Sequence, residues 1–367
     1  MDNVGANCDL HLHRLLQDRI STNGPITFAE FMDTVLYHPR FGYYTRSSSI
    51  HADYFTSVSA HPVFGAMLAN HLGDLWIALD RPYPFAVIEL GAGEGILAEY
   101  ILSIAGEHEW ASCLRYIGVE ISASRRSAAP VGAQFVSTIC ELERLDFQKA
   151  VVISNEYFDA LPFHLIRRHA KGWVEERVDM RDEELVFVDT EPTPPALCYA
   201  EEYGDALPDG GRLEARPMIS KLYSRIAAIA PVLVMTTIDY GGPALEIHGP
   251  RLQGGTALAY RAHEASESLL THLGAQDLTA HVNFTALTDC GRASGLDSFP
   301  LIKQVDFLAA LGIGDYLPYL QTISGLTPER YERERHAVIQ LLDPAEMGRF
   351  RVLFQHRGLN LIALRGF

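Results

Sequence analysis

The sequence predicts an α/β fold: a parallel sheet wrapped by helices, with added segments at both ends and a β-rich insertion. Three observations predict it. Phe85–Leu90 is a short apolar run that stops in glycines at alternate positions, Gly91, Gly93 and Gly95, and then enters a helical pattern over 96–104. From there strand-like and helix-like stretches alternate, the signature of parallel strands joined by crossover helices. After Pro162 the text changes to short alternating strands, and the core pattern resumes at Pro217.

Taken in order, residues 9–37 read as helical, with Leu12, Leu15, Leu16 and Ile20 on one face. Thr27, with Glu30 three residues on, forms a capping-box signature for a second helix. Pro39, Gly42 and the serines at 47–49 mark a loop, and a third helix is expected over Pro62–Ala78. Strands are expected at Phe85–Leu90, 116–120, 134–136 and 151–154, with a helix starting at Ser122. Segments 163–169, 173–179 and 184–189 read as antiparallel strands, with Lys171-Gly172 at a turn. The prolines 192, 194 and 195 and the run 207–211 close that section. A helix at 217–229, a strand at Val232–Asp239, a strand at 278–282 and a helix at 284–292 follow. The chain ends in a helix over 328–341 and strands at 350–354 and 359–364. The domain organisation expected is an amino-terminal helical cap (1–60), a core (61–161 and 217–300), an insertion (162–216) and a carboxyl-terminal extension completing the core (301–367).

Composition narrows the function. Thirty basic against 46 acidic residues give a net charge of −16, opposite to the basic footprint of nucleic-acid binders. The five cysteines, Cys8, Cys113, Cys140, Cys198 and Cys290, are far apart and form no Cys-x-x-Cys pair, so neither a metal site nor a disulfide framework is expected. The longest apolar run, around 226–238, contains Pro231 and is too short to span a bilayer. The first 19 residues carry Asp2, Asp9 and Asp18 and no apolar core. A soluble, cytoplasmic protein without a membrane partner is the expectation; its oligomeric state is open.

The chemistry concentrates at three strand ends. The dinucleotide fingerprint wants its third glycine at position 96, where this chain has Ile96. Glu89, just before the turn, repels a pyrophosphate and attracts an amino group or a sulfonium, which points to S-adenosylmethionine. Glu120, with Ile121 beside it, ends the second strand, where an acid accepts hydrogen bonds from ribose hydroxyls. The fourth strand runs into Asn155-Glu156-Tyr157-Phe158-Asp159, and open α/β sheets bind ligands beyond the carboxyl ends of their strands. Amino methyltransferases place an amide or acid and an aromatic there, to hold the substrate nitrogen. The bland alternative makes Asn155 a helix cap and Tyr157 and Phe158 core. His61, His263 and His281 are singly placed and read first as structural residues, His281 being the best placed of them.

These blocks together resemble the MidA-like family. The resemblance covers nearly the whole chain: Gly24-Pro25-Ile26-Thr27-Phe28-Ala29-Glu30-Phe31-Met32, His38-Pro39 with Gly42-Tyr43-Tyr44, residues 53–57, Phe64-Gly65, 88–95 and 155–162. It continues through Asp239-Tyr240-Gly241, Gly255-Thr256, His263, 277–284 and Met347-Gly348. It implies a class I methyltransferase, Rossmann-like sheet and S-adenosyl-L-methionine as cofactor; mitochondrial members of the family are arginine methyltransferases needed for assembly of respiratory complex I. Carried over by position, Thr56 and Ser57 lie against the cofactor, Gly91 and Gly93 under its methionine part, Glu120 on its ribose, and Asn155 and Glu156 near the transferred methyl. Glu89 and Ile121 complete the expected cofactor set, and Glu156, Asp159 and Asn155 the expected catalytic set, with Glu156 and Asp159 as the carboxylate pair on the substrate. The sequence departs from the family pattern at Val58-Ser59, where Pro-Glu is usual, at Asn283, where aspartate is usual, and at Ala52, where glycine is usual. Three readings follow: a protein arginine N-methyltransferase, a methyltransferase of a small molecule or another side chain, or a cofactor-binding assembly scaffold without turnover.

Overall fold

The computed structural model describes residues 2–46, 57–322, 326–359 and 364–367. The chain divides into two compact units. One combines Met1–Tyr54, Phe158–Lys221 and Gly241–Leu287; the other combines Phe55–Tyr157, Leu222–Tyr240 and Thr288–Phe367. Residues 162–216 thus share a unit with the amino-terminal helices and with 241–287.

The second unit carries the parallel sheet. Its main strands are β1 (Phe85–Leu90), β2 (Leu114–Val119), β3 (Ala133–Val136), β4 (Lys149–Asn155), β5 (Val232–Asp239) and β6 (Arg351–Arg357). They lie in the order β3-β2-β1-β4-β5-β6. All neighbours are parallel except β5 and β6, which pair antiparallel from Leu233–Arg357 to Asp239–Arg351. Two-residue strands, Asp297–Ser298 and Ile302–Lys303, extend the sheet on β6. Strand order reverses between β1 and β4, and that switch point opens a crevice at the carboxyl ends of both. All six residues of β1 are buried, as a parallel strand covered on both faces requires.

Helix Pro62–Ala78 starts where proline suits a first turn, and His61 caps it, Nδ1 accepting the Val63 N–H at 3.0 Å. The other ring nitrogen of His61 reaches Glu334 at 2.5 Å, so this histidine is a structural cap. Phe64, Leu68, Leu72 and Leu75 of that helix pack with Leu97 and Ile101 over Val87, Tyr116, Val151 and Ile153; Phe307, Leu341 and Phe354 from the carboxyl-terminal segment complete the same core. The expected strand at 359–364 falls mostly outside the described residues; Leu359 and Leu364 at its ends are buried.

The first unit is mixed. Helices Asp2–Asn23 and Phe28–Tyr37 flank strand Ile26–Thr27, and the Thr27–Glu30 capping box is complete: each side chain receives the other's backbone N–H, at 2.9 and 3.1 Å. Thr27→Ala is expected to cost about 1 kcal/mol of stability, read as a lower urea midpoint with an unchanged slope. The antiparallel sheet expected after Pro162 is present, with strands His164–His169, Gly172–Arg181, Glu184–Thr190 and Arg212–Ala215. The prolines near 194 open a helix, Pro194–Tyr203: Pro194 supplies a first-turn residue, and Ala196, Tyr199 and Ala200 bury against Ile166 and Leu213. The single strand expected over 278–282 is two: Asp277–Thr279 pairs Leu258–Arg261, and Val282–Asn283 pairs Gly241–Gly242 in parallel.

Candidate active site

The glycine turn bends the chain from β1 toward helix Ile96–Ala105. Gly91 and Gly93 sit at φ +70° and +55°, in the left-handed region that glycine enters without steric cost. A Cβ on Gly91 would lie 2.8 Å from Cδ2 of Tyr157, whose ring packs directly on the turn. A Cβ on Gly93 would meet nothing nearer than the Gly91 carbonyl at 3.9 Å, so the backbone there faces open space. The turn hangs from β2, where the Val119 carbonyl accepts both the Gly91 and the Ala92 N–H, at 2.9 and 3.1 Å.

Glu120, at the end of β2, ties the two strand ends together. Its Oε2 accepts the Gly93 N–H at 2.9 Å and its Oε1 the Ser122 N–H at 2.7 Å. Burial raises its carboxyl above the ordinary range, opposed by those N–H groups and by Arg125. Ile121 beside it leaves 47% of its surface exposed, an apolar platform at the crevice rim. Glu89 behaves differently from the charged group assumed on sequence. It is fully buried on β1, accepts the Tyr116 hydroxyl at 2.7 Å, and burial pushes its pKa up to about 8. The carboxyl therefore holds its proton at neutral pH, and the repulsion of a pyrophosphate argued from sequence loses its force.

Beyond β4 the chain makes no helix. Glu156 takes φ +49°, and its N–H continues the ladder to the Ile238 carbonyl at 2.9 Å. Its Oε1 receives two donors, the Ser57 N–H at 2.8 Å and Asn155 Nδ2 at 3.0 Å. That leaves Asn155 Oδ1 as a buried acceptor with no partner among the described residues. The Tyr157 N–H is taken by Asp239 Oδ2 at 3.2 Å, and burial pushes the Tyr157 hydroxyl up to about 12. Ser57 is itself anchored, its hydroxyl donating to Gln304 Oε1 at 3.2 Å.

The structure thus brings Ser57, Gly91, Gly93, Glu120, Ile121, Asn155 and Glu156 to the carboxyl edge of one sheet, with Glu89 beneath them. Thr56 lies outside the described residues. Asp159 belongs to the other unit, where its carbonyl accepts Arg216 Nη2 at 2.8 Å and the Ala280 N–H at 3.3 Å. The departure at Asn283 has a local reason. Asn283 is 2% exposed, its Oδ1 accepts the Ala286 N–H at 3.1 Å, and its Nδ2 donates to the Tyr199 hydroxyl at 3.0 Å. It is a helix cap tied to a neighbouring tyrosine, a task an amide serves as well as an acid. His263 lies in the turn between Leu258–Arg261 and Glu264–Ser266 at φ +65°, and His281 lends its carbonyl to Arg216. Sequence reasoning missed Asp239, Tyr116 and Gln304. Asp239 had a signal, an acid at a strand's carboxyl end; Tyr116 and Gln304 had none outside three dimensions.

The arrangement fits an adenosyl sulfonium cofactor. Gly93 offers backbone beside open space, Ile121 an apolar rim, and Glu120 a buried carboxylate between them. Among the described residues, no group of three His, Cys, Asp or Glu side chains could hold a metal ion, and no helix is long and apolar enough to cross a membrane.

Comparison with known proteins gives the family and the cofactor. A family model described as S-adenosyl-L-methionine-dependent methyltransferase matches residues 67–302. The protein arginine methyltransferase NDUFAF7, mitochondrial, of Mus musculus is 26% identical, over 95% of this chain and 85% of its own. That of Homo sapiens is 25% identical over 95% and 84%. A crystal structure of a Burkholderia thailandensis protein bound to S-adenosyl-homocysteine matches all of this chain and 96% of its own, at 28% identity and a TM-score of 0.85.

Proposed function

The chain belongs to the family of S-adenosyl-L-methionine-dependent methyltransferases, and from that premise we propose that it N-methylates an arginine side chain of a protein. The observation that carries the acceptor class is the pair at the end of β4: Asn155 Oδ1, buried and unpartnered among the described residues, next to the Glu156 carboxylate. Both are acceptors, so they suit a substrate that presents several N–H groups and a positive charge. A guanidinium does both, and the arginine methyltransferases among its relatives support that choice.

S-adenosyl-L-methionine, when bound, supplies an electrophilic methyl group. The residues of this chain do the rest by position and charge. A guanidinium stays protonated at any working pH, with its nitrogen lone pairs delocalised. Hydrogen bonds from two of its nitrogens to Asn155 Oδ1 and Glu156 hold the charge on that side and leave the third nitrogen the better nucleophile. Methylation raises the charge of the whole guanidinium, and the proton then leaves to Glu156 from the nitrogen bonded to it. Ser57 and Asn155 Nδ2 keep its carboxylate in place throughout.

The test is incubation of the protein with tritiated cofactor and host lysate, followed by separation of protein and small-molecule fractions and acid hydrolysis. Label in methylarginine is expected. Label in small molecules alone moves the acceptor to another class, and cofactor binding without label makes the protein a scaffold. Glu156→Gln is expected to lower the labelling rate about 100-fold while S-adenosyl-homocysteine binds as before. An unchanged rate removes Glu156 from the reaction.

A further inference from the structure

We propose that Asp239 is the positioning residue that aims Glu156; this rests on the reading of Glu156 above. β4 and β5 run parallel, and their ladder extends one residue past β4, the Glu156 N–H meeting the Ile238 carbonyl. The next donor, the Tyr157 N–H, goes to a side chain: Asp239 Oδ2 accepts it at 3.2 Å, while Oδ1 accepts the Tyr240 N–H at 2.9 Å. Asp239 is fully buried. Between the two anchored N–H groups sits Glu156 at φ +49°, a conformation that residues with a Cβ avoid and that persists only where the surroundings over-determine it. That turn swings the Cα–Cβ bond so that the carboxylate reaches both the Ser57 N–H and Asn155 Nδ2. With residue 156 extended, the side chain would leave both donors.

The chemistry of residue 239 is specific. Two backbone donors aimed at two oxygens need a carboxylate; asparagine offers one acceptor and turns an N–H group against the other donor. Asp239→Asn therefore releases one end of the clamp without changing the volume of a buried site.

The test uses the full-length protein, calorimetry with S-adenosyl-homocysteine, the carbon-13 resonance of bound methyl-labelled S-adenosylmethionine, and the lysate labelling assay. For Asp239→Asn, affinity for S-adenosyl-homocysteine is expected to stay within about threefold of wild type. The bound methyl resonance is expected to move toward that of the free cofactor, as is also expected for Glu156→Ala, and protein labelling to fall at least about tenfold. A shift in Glu156→Ala without one in Asp239→Asn overturns this proposal alone. No shift and no loss of labelling in Glu156→Ala overturns the reading of Glu156 and this proposal with it. Loss of S-adenosyl-homocysteine binding in Asp239→Asn assigns Asp239 to the cofactor cradle and overturns its positioning role. If Asp239→Asn does not fold, Asp239→Glu, whose extra methylene carries both oxygens away from the two N–H groups, is measured in the same way with the same expectations; two unfolded variants make Asp239 a stability residue and overturn the proposal.

Discussion

Gly91→Val abolishes S-adenosyl-homocysteine binding, with an expected rise in dissociation constant of at least about 100-fold, equivalent to about 2.7 kcal/mol. The steric case has two parts. A Cβ at residue 91 would stand 2.8 Å from Tyr157 Cδ2, so the ring must leave the underside of the turn. In addition, φ +70° places a branched residue in a region it strongly avoids, at a cost of about 1–2 kcal/mol. Both strains are relieved in the same way, by flattening the turn, which withdraws Gly93 from the open space it faces. Gly93→Val reaches the same loss by another route, filling that space directly. Isothermal titration calorimetry reads both, and the thermal shift that saturating ligand gives wild type is expected to vanish with them. Binding of S-adenosyl-homocysteine by Gly91→Val within tenfold of wild type would show that the turn is not the cradle.

How far the site could be read in advance follows from where its determinants lie along the chain. The helix boundary at Thr27 is local chemistry, a hydroxyl and a carboxylate three residues apart, and it was legible to the residue. β1 was legible because a strand buried on both faces reads as a near-continuous apolar run, here broken only by Glu89. The resemblance drawn from ordered blocks is borne out by the family match and by the relatives. The helix at Pro194 went unread because proline marks both the end of one element and the first turn of another, and only the burial of Ala196 and Tyr199 separates these. The clamp on Glu156 joins residues 57, 155, 156 and 239, whose meeting depends on β4 and β5 being neighbours; no spacing along the chain encodes it. Glu89 failed differently. Its position was read correctly as the end of β1, but a sequence shows formal charge and hides the desolvation that cancels it.

That desolvation makes stability depend on pH in a direction opposite to most carboxylates. Glu89 has a pKa of about 8 in the folded protein against the ordinary 4.5, with burial as the first cause, the Tyr116 hydroxyl opposing it and Glu120 adding to it. Between pH 4.5 and 8 the folded state keeps a proton that the unfolded state has lost. Unfolding then releases that proton, so stability falls as pH rises, by up to about 1.4 kcal/mol per pH unit. Below that window both states are protonated, and above it both are ionised, so the contribution is flat at either end. Glu89→Gln is neutral throughout and keeps a hydrogen-bonding oxygen for Tyr116. Its urea midpoint is therefore expected to match wild type near pH 4.5 and to exceed it increasingly toward pH 8, the gap reaching a few kcal/mol in order of magnitude. Tyr116→Phe removes the one hydrogen bond that favours the ionised form, so the declining limb is expected to extend to higher pH. Parallel pH profiles for wild type and Glu89→Gln would mean that Glu89 ionises alike in both states, and that its carboxylate, charged after all, faces the cofactor as the sequence first suggested.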